Sequence, residues 1–449
     1  MLSALRETLD LIYLKLKFSL VLRRLKRNPA SLLMKTWCFG PESLNSSDDF
    51  YYGRLPQLLQ QRGVSFLLLC GDALGGNKRT FAQAVLKRTQ VRSIPEQLLA
   101  PVWAPIVIAC KQIATSWQLY RLLRTPSDGK FAVTCARALV DCLSPSTTKN
   151  TMYYYIAKRA VETWRPRAFV TLYEGQSWEV PAWNGAKTAL KECLTVGYQH
   201  TVVMPYSLSL TWPNKGSWEL STPDLVLYLG ERTKRMMKPG HEAHKTEFIL
   251  FGSFRRSPGS FLESAPRPWR RTVLVLPMGS LPEAKLLFNF VIPVASSLPD
   301  HQFIFRCHPL VPFEQVRLCL ESAPEQCRNI EVSDCNFIED DFSRSSVVLY
   351  RSSSAALYAV LNGIKPVYLD DRNLFDVDVL FELTNWRERV SSVSEMEEVL
   401  RRYAATGDPG VSEEWRRAAE FVNGYTTAAD DASADRFLRR VMGDGRQTL

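Results

Sequence analysis

The stretch "SVVLYRSSSAALYAVLNGIKPVYLDD", Ser346 to Asp371, constrains the fold more than any other. It holds two short apolar runs, "VVLY" and "PVYL", joined by a serine turn and an apolar segment with helical spacing. A run with no polar alternation suits a strand buried on both faces, and parallel strands need a helical crossover between them. The unit therefore reads strand, turn, helix, strand. The same rhythm fills the region before it. "TVLVLPMGS" from Thr272 is a strand and glycine turn, Pro282 to Ser297 is helical, and "HQFIFRCHP" is a strand. Phe313 to Glu321 reads as a helix and "NIEVSD" as a short strand. Alternation of this kind predicts a doubly wound α/β domain.

The N-terminal half shows a looser version of the pattern. "VSFLLLCGDALGG" from Val64 leaves a strand into a glycine turn, and Tyr153 to Trp164 has helical spacing. "RPRAFVTLYEG", "HTVVMPYS" from His200, Asp224 to Leu229 and "EFILFGSFR" from Glu247 read as further strands. Arg255 to Arg271, rich in proline, serine and cations, reads as an interdomain linker. With 449 residues the chain is long enough for two or three domains. The expected division is a basic N-terminal segment, residues 1–40, and an acceptor-side α/β domain, 41–254. A linker, 255–271, a nucleotide-binding α/β domain, 272–410, and a helical segment, 411–449, complete it. Two such domains leave a cleft at the carboxyl ends of their strands, where open α/β sheets bind ligands.

A net charge of +10 suits an anionic partner: nucleic acid, an anionic membrane or a phosphorylated small molecule. No basic stripe interleaved with aromatics points to nucleic acid. The ten cysteines lack CxxC spacing and several sit in apolar runs, as buried reduced thiols of a cytosolic protein do. No stretch offers the roughly 20 uninterrupted apolar residues that span a bilayer; "LLAPVWAPIVIAC" from Leu98 is short and holds two prolines. The first 27 residues carry seven cations against two acids, and Leu5, Leu9, Ile12 and Leu16 share one helical face. Two readings fit: an amphipathic helix lying on an anionic inner leaflet, or a docking helix with a solvated basic end.

Candidate chemistry gathers at strand ends. Gly279 and Ser280 follow one strand; Arg306, His308 and Pro309 leave another; Arg351, Ser352, Ser353 and Ser354 lead from a third into a helix. Hydroxyls and free backbone N–H groups at a helix start favour phosphate, and Arg and His add charge-assisted hydrogen bonds. In the first domain "TLYEGQSWE" places Glu174 where a strand ends, followed by Gly175, Gln176, Trp178 and Glu179. His200 closes "GYQH" and faces either donor sugar or acceptor, unless it is a buried structural histidine. Trp178, Trp183 and Trp212 are candidates for stacking on sugar rings, or for core packing. No P-loop, GxGxxG or metal-ligand spacing is present.

Glu174-Gly175, His308-Pro309 and Ser352-Ser353-Ser354 together resemble the motif set of bacterial sialyltransferases and related Kdo transferases of the GT-B class. "YEGQSWE" and "GYQH" also look like bacterial surface-carbohydrate biosynthesis proteins. The resemblance implies two Rossmann-like domains facing each other across a cleft and a metal-independent glycosyltransferase without a resident cofactor. It implies a nucleotide-activated donor, a CMP-linked ulosonic acid such as Kdo or a sialic-acid-like sugar. The acceptor is then a glycan or lipid-linked glycan of lipopolysaccharide or capsule, met at the cytoplasmic face of the inner membrane. By position Glu174 matches the carboxylate that faces the acceptor hydroxyl, as base in an inverting enzyme or as nucleophile in a retaining one, since retaining Kdo transferases lie within the same resemblance. His308 matches the group on the leaving phosphate, and Ser352 and Ser353 its holders. Tyr173 stands where that family has a first acid, which leaves Glu179 as a second candidate base. A UDP-sugar or polyol-phosphate transferase of the same fold, and a non-catalytic membrane adaptor, remain the alternatives.

Overall fold

The computed structural model describes residues 2–40, 44–125, 128–211, 222–241, 246–254, 269–372, 376–406 and 413–443. Its first sheet contains β1 (Leu32–Cys38), β2 (Phe66–Asp72), β3 (Ser93–Pro95), β4 (Ala168–Leu172), β5 (Leu194–Tyr198), β6 (Leu225–Tyr228) and β7 (Glu247–Leu250). All seven are parallel, in the order β3-β2-β1-β4-β5-β6-β7. Successive residues feed opposite faces. Leu33, Leu67, Leu69 and Phe169 join one buried cluster, whereas Leu32, Met34, Leu68 and Val170 join the other. Both faces are therefore core, which is why these strands read as continuous apolar runs.

β1 lies inside this sheet, between β2 and β4, so Leu32–Cys38 is part of the first domain and residues 1–40 do not form the separate segment expected. Lys35 disguises it. The ammonium is fully buried and is matched by Glu96, 3.2 Å away, and by the Thr36 carbonyl at 2.9 Å. The helix Leu2–Lys17 packs onto the domain through Leu11 and Leu14, so it docks by one face.

The second sheet contains β8 (Thr272–Leu276), β9 (Gln302–Phe305), β10 (Ile330–Val332), β11 (Val347–Tyr350), β12 (Lys365–Leu369) and β13 (Glu388–Val390). Its order is β10-β9-β8-β11-β12-β13, again all parallel. The helix Leu281–Ser297 covers one face, with Phe288 stacked on Phe305 at 4.1 Å between ring centroids. The two doubly wound α/β domains expected from the sequence are thus present.

Between β7 and β8, residues 255–268 of the proposed linker lie outside the described residues. The C-terminal helices tie the domains together. Glu413–Tyr425 packs on Ala355–Leu361 of the second domain and on Glu231–His241 of the first. Asp431–Met442 then returns to the first domain, burying Ala434, Phe437 and Met442 in its core. Arg62 to Asp435, 2.7 Å, pins it there.

Two elements differ from the sequence reading. His200 to Ser207 is not a strand: β5 ends at Tyr198, and the apolar residues beyond it serve the interdomain contact. Val202 and Met204 pack against the second domain's inner cluster, and the Tyr425 hydroxyl donates to the Val203 carbonyl at 2.8 Å. The helix expected over Phe313 to Glu321 stops at Arg317.

Candidate functional site

Glu174 follows β4 directly, and its neighbour in the sheet, β5, delivers His200 two residues beyond its own end. His200 Nε2 lies 2.8 Å from Glu174 Oε1, close but off the axis of an aligned hydrogen bond. The imidazole is nearly buried while the carboxylate stays partly exposed. Tyr51 meets the imidazole edge-on at 4.6 Å, and the Gln176 amide donates to Glu174 Oε2 at 3.1 Å. Burial pushes the Glu174 carboxyl upward, but the contacts with His200 and Gln176 outweigh it and hold the group below its ordinary value. Glu174 is therefore an ionised, oriented carboxylate at neutral pH.

The loop around it is braced by Glu179, whose two oxygens accept the backbone N–H groups of Glu174 at 2.8 Å and Gly175 at 3.0 Å. Burial pushes that carboxyl well up against those donors. With both oxygens occupied inside the protein, Glu179 is a loop brace and not a second base. Gly175 adopts φ +77, and a Cβ on it would stand 2.1 Å from Ser209 Oγ. Gly175→Ala is expected to lower stability by about 1–3 kcal/mol through the left-handed backbone alone, with the clash adding to it. The midpoint of chemical denaturation measures this; an unchanged midpoint refutes it.

Tyr173, at the position of the resembling family's first acid, points the other way. Its hydroxyl meets His241 Nε2 at 2.7 Å within the core, so position 173 cannot present an acid to a cleft in this chain. Trp178 and Trp183 are also interior. Trp178 packs edge-on against Trp37 at 6.0 Å, and the Trp183 indole donates to Thr171 at 3.0 Å, so neither is placed to stack on a sugar. Trp212 lies outside the described residues.

On the second domain, the structure brings Gly279 and His308 together. A Cβ at Gly279 would lie 2.9 Å from His308 Nδ1, so only glycine lets the imidazole sit over this strand end. His308 Nδ1 accepts the Leu310 backbone N–H at 3.1 Å, which leaves Nε2 as the protonated nitrogen of the neutral ring. Pro309 follows in a turn closed by Val311 N–H to the His308 carbonyl, 2.8 Å.

The rest of the expected phosphate cradle is already engaged. Glu283 sits buried among the ends of β8 and β11, accepting the Met278 N–H at 2.9 Å, the Ser352 N–H at 3.3 Å and the Ser352 hydroxyl. Arg351 lies 3.7 Å from that carboxylate and bonds Asp371 at 3.0 Å. Arg306 reaches across to the segment beyond β10, donating to the Cys335 carbonyl at 3.1 Å and pairing with the buried Asp341. Ser280 caps the helix Leu281–Ser297 by accepting the Glu283 N–H. Ser353 is buried, and Ser354 starts the seven-residue helix Ala355–Leu361 without a side-chain cap bond. Arg306 is thus structural, and Ser352 in this arrangement holds a carboxylate of the protein itself.

Glu283 and Tyr51 escaped the sequence reading. "SLPE" from Ser280 is an S-x-x-E capping signature that marks Glu283 as a helix-start carboxylate. Nothing local marks Tyr51. Among the described residues no group of His, Cys, Asp and Glu side chains is placed to hold a metal ion, and no helix is long and apolar enough to cross a membrane.

No protein-family model matches the sequence, and no curated protein does. Among solved structures, the chain is similar to the glycotransferase of kitacinnamycin at 14% identity and a TM-score of 0.53, over 92% of this chain and 99% of that one. The fold is of the GT-B type. Two further structures overlap less well. They are UDP-GlcNAc 2-epimerase from Neisseria meningitidis, 11% identical with a TM-score of 0.49 over 92% of this chain and 99% of that one, and the glycosyltransferase SnogD from Streptomyces nogalater, 14% identical with a TM-score of 0.44 over 92% and 100%. The Glu174–His200 pair and the Gly279–His308 contact each lie beyond the carboxyl ends of adjacent parallel strands, β4 and β5 in the first sheet and β8 and β9 in the second.

Proposed function

We infer that the protein is a glycosyltransferase that moves a sugar from a nucleotide-activated donor to a glycan or lipid-linked glycan of a bacterial surface polysaccharide. The observation that carries this reading is the oriented, ionised Glu174 held by His200 at the end of β4. In the reaction the acceptor hydroxyl oxygen attacks the anomeric carbon. The bond from that carbon to the donor phosphate breaks, its electron pair staying on the phosphate oxygen. The hydroxyl proton passes to Glu174, and the His308 Nε2–H donates to the departing phosphate. With Glu179 sealed in the loop, one carboxylate serves this position, which fits a single displacement that inverts the anomeric carbon.

Arg306 and Arg351, the cations expected beside the phosphate, are both tied to carboxylates of the protein. A CMP-linked ulosonic acid is the donor we propose, on the likeness of Glu174-Gly175, His308-Pro309 and Ser352-Ser353-Ser354 to the sialyltransferase and Kdo transferase motifs. The enzyme works at the cytoplasmic face of the inner membrane, with its basic N-terminal helix on the anionic leaflet.

Thermal unfolding with CMP, CDP and UDP tests the donor. A nucleotide at 100 times its dissociation constant stabilises the fold by about 2.7 kcal/mol, and CMP is expected to give the largest shift. UDP giving the largest shift makes the donor a UDP-sugar, CDP a polyol-phosphate donor; no shift with any of them favours the non-catalytic adaptor.

A further inference from the structure

The helices Ala104–Leu123 and Gly129–Leu143 pack against each other as a hairpin and have almost no core of their own. The first buries only Ala104, Pro105, Ile108 and Ala109, all within its opening turns, and the second buries only Cys135. Beyond Ile108 neither helix contributes a buried side chain to the first domain's clusters; Cys135 is buried outside them. A helix that stands off the core in water is expected to be polar on its outer face. This hairpin is apolar there. Ile113, Trp117 and Tyr120 fall at i, i+4 and i+7 on one helix, and Val133, Val140 and Leu143 on the other, with Trp117 62% and Val133 70% exposed. The helix Leu2–Lys17 packs alongside and leaves Leu5, Leu9 and Leu16 exposed on the face opposite its buried Leu11 and Leu14.

Charge identifies what covers this surface. Residues 2–27 carry seven cations against two acids, and residues 110–143 five against two. These two stretches together therefore carry eight of the ten net positive charges of the chain. Arg124 lies 5.6 Å over the Tyr120 ring, a cation beside an interfacial aromatic. A second copy would bring like charges together. An anionic bilayer would accept both the aromatic and aliphatic side chains and the cations around them.

We propose that the paired helices Ala104–Leu123 and Gly129–Leu143 are a membrane-docking element that buries Trp117, Val140 and their neighbours in the headgroup boundary of an anionic phospholipid bilayer. This rests on the peripheral-membrane part of the reading above and adds the element that enters the lipid.

Co-sedimentation with phosphatidylcholine vesicles, with and without phosphatidylglycerol, tests it on the full chain. The wild type is expected to pellet with the mixed vesicles and to stay largely in solution with phosphatidylcholine alone. Trp117→Ser/Val140→Ser, both at exposed positions, should weaken partition about tenfold or more, the scale of losing two apolar anchors, with an unchanged thermal midpoint. Arg23→Glu/Arg24→Glu separates the two elements. If only this charge variant loses binding, the hairpin proposal falls and the N-terminal attachment stands. If the wild type pellets with neither vesicle, both fall. If light scattering shows a dimer that the hairpin variant converts to a monomer without any vesicle binding, the surface belongs to a second copy and the proposal is overturned.

Discussion

Glu96→Leu is expected to destabilise the fold by about 3–5 kcal/mol, the range for removing one partner of a buried ion pair. Glu96 accepts from the Tyr153 hydroxyl at 2.6 Å and faces the Lys35 ammonium at 3.2 Å, and all three side chains are buried. Lys35 also lies 3.4 Å from the Trp37 ring centroid. Gly71 makes room for the cluster, since a Cβ there would stand 2.7 Å from both Lys35 Nζ and Glu96 Oε1. Burial pulls the Lys35 amine down and pushes the Glu96 carboxyl up, and each opposes the other's shift. Removing Glu96 leaves the ammonium with a carbonyl and a ring in a medium that cannot solvate it. Lys35→Met/Glu96→Leu should recover most of the loss, because two apolar side chains leave no buried charge, and adding Tyr153→Phe removes the orphaned hydroxyl. Denaturant titration of the singles and the double measures the coupling. A single-variant loss of about 1 kcal/mol or less would place the pair with surface salt bridges and overturn the argument.

The same lysine shows where sequence reading stops. β11 and β8 were legible because "VVLY" and "TVLVL" hold no polar residue, and burial on both faces follows from that. β1 was not, because Lys35 interrupts "LLMKTWC" and its partner lies 61 residues on, in Glu96. His200 to Ser207 looked like a strand for the converse reason. Its apolar residues are buried, but against the second domain, through a contact with Tyr425 that spans 222 positions of sequence. Site residues divide in the same way. Glu174 stood out as a carboxylate at a strand end, whereas its closeness to His200 depends on β4 and β5 being neighbours in the sheet. The serines at 352 to 354 suggested a phosphate cradle from local pattern alone; that Glu283 fills the space beside Ser352 is a tertiary fact. Tryptophans carry no local mark of burial, so the sequence leaves Trp178 open to sugar stacking or to packing, and it is buried. The exposed hairpin escaped the sequence reading: its apolar residues carry no local sign that they face outward, and the helices bury only Ala104, Pro105, Ile108, Ala109 and Cys135.

Glu174→Gln should have the largest effect on turnover, a fall of about 100- to 10,000-fold for loss of a general base. The substitution keeps the shape of the side chain and its reach to Gln176 and His200, so stabilisation by the nucleotide should stay the same. Loss of turnover without loss of nucleotide binding separates proton transfer from donor binding. The pH dependence supplies a second readout. The folded carboxyl titrates below its unfolded value, so its contribution to stability is present above the ordinary carboxylate range and is lost as pH falls through the lower, folded value. His200→Phe removes the imidazole that opposes burial. The Glu174 carboxyl should then rise, and the acid limb of the rate profile should move to higher pH. Glu174→Gln protein that is folded, binds nucleotide and turns over at the wild-type rate would remove Glu174 from the chemistry. An acid limb unmoved in His200→Phe would show that His200 does not set its protonation.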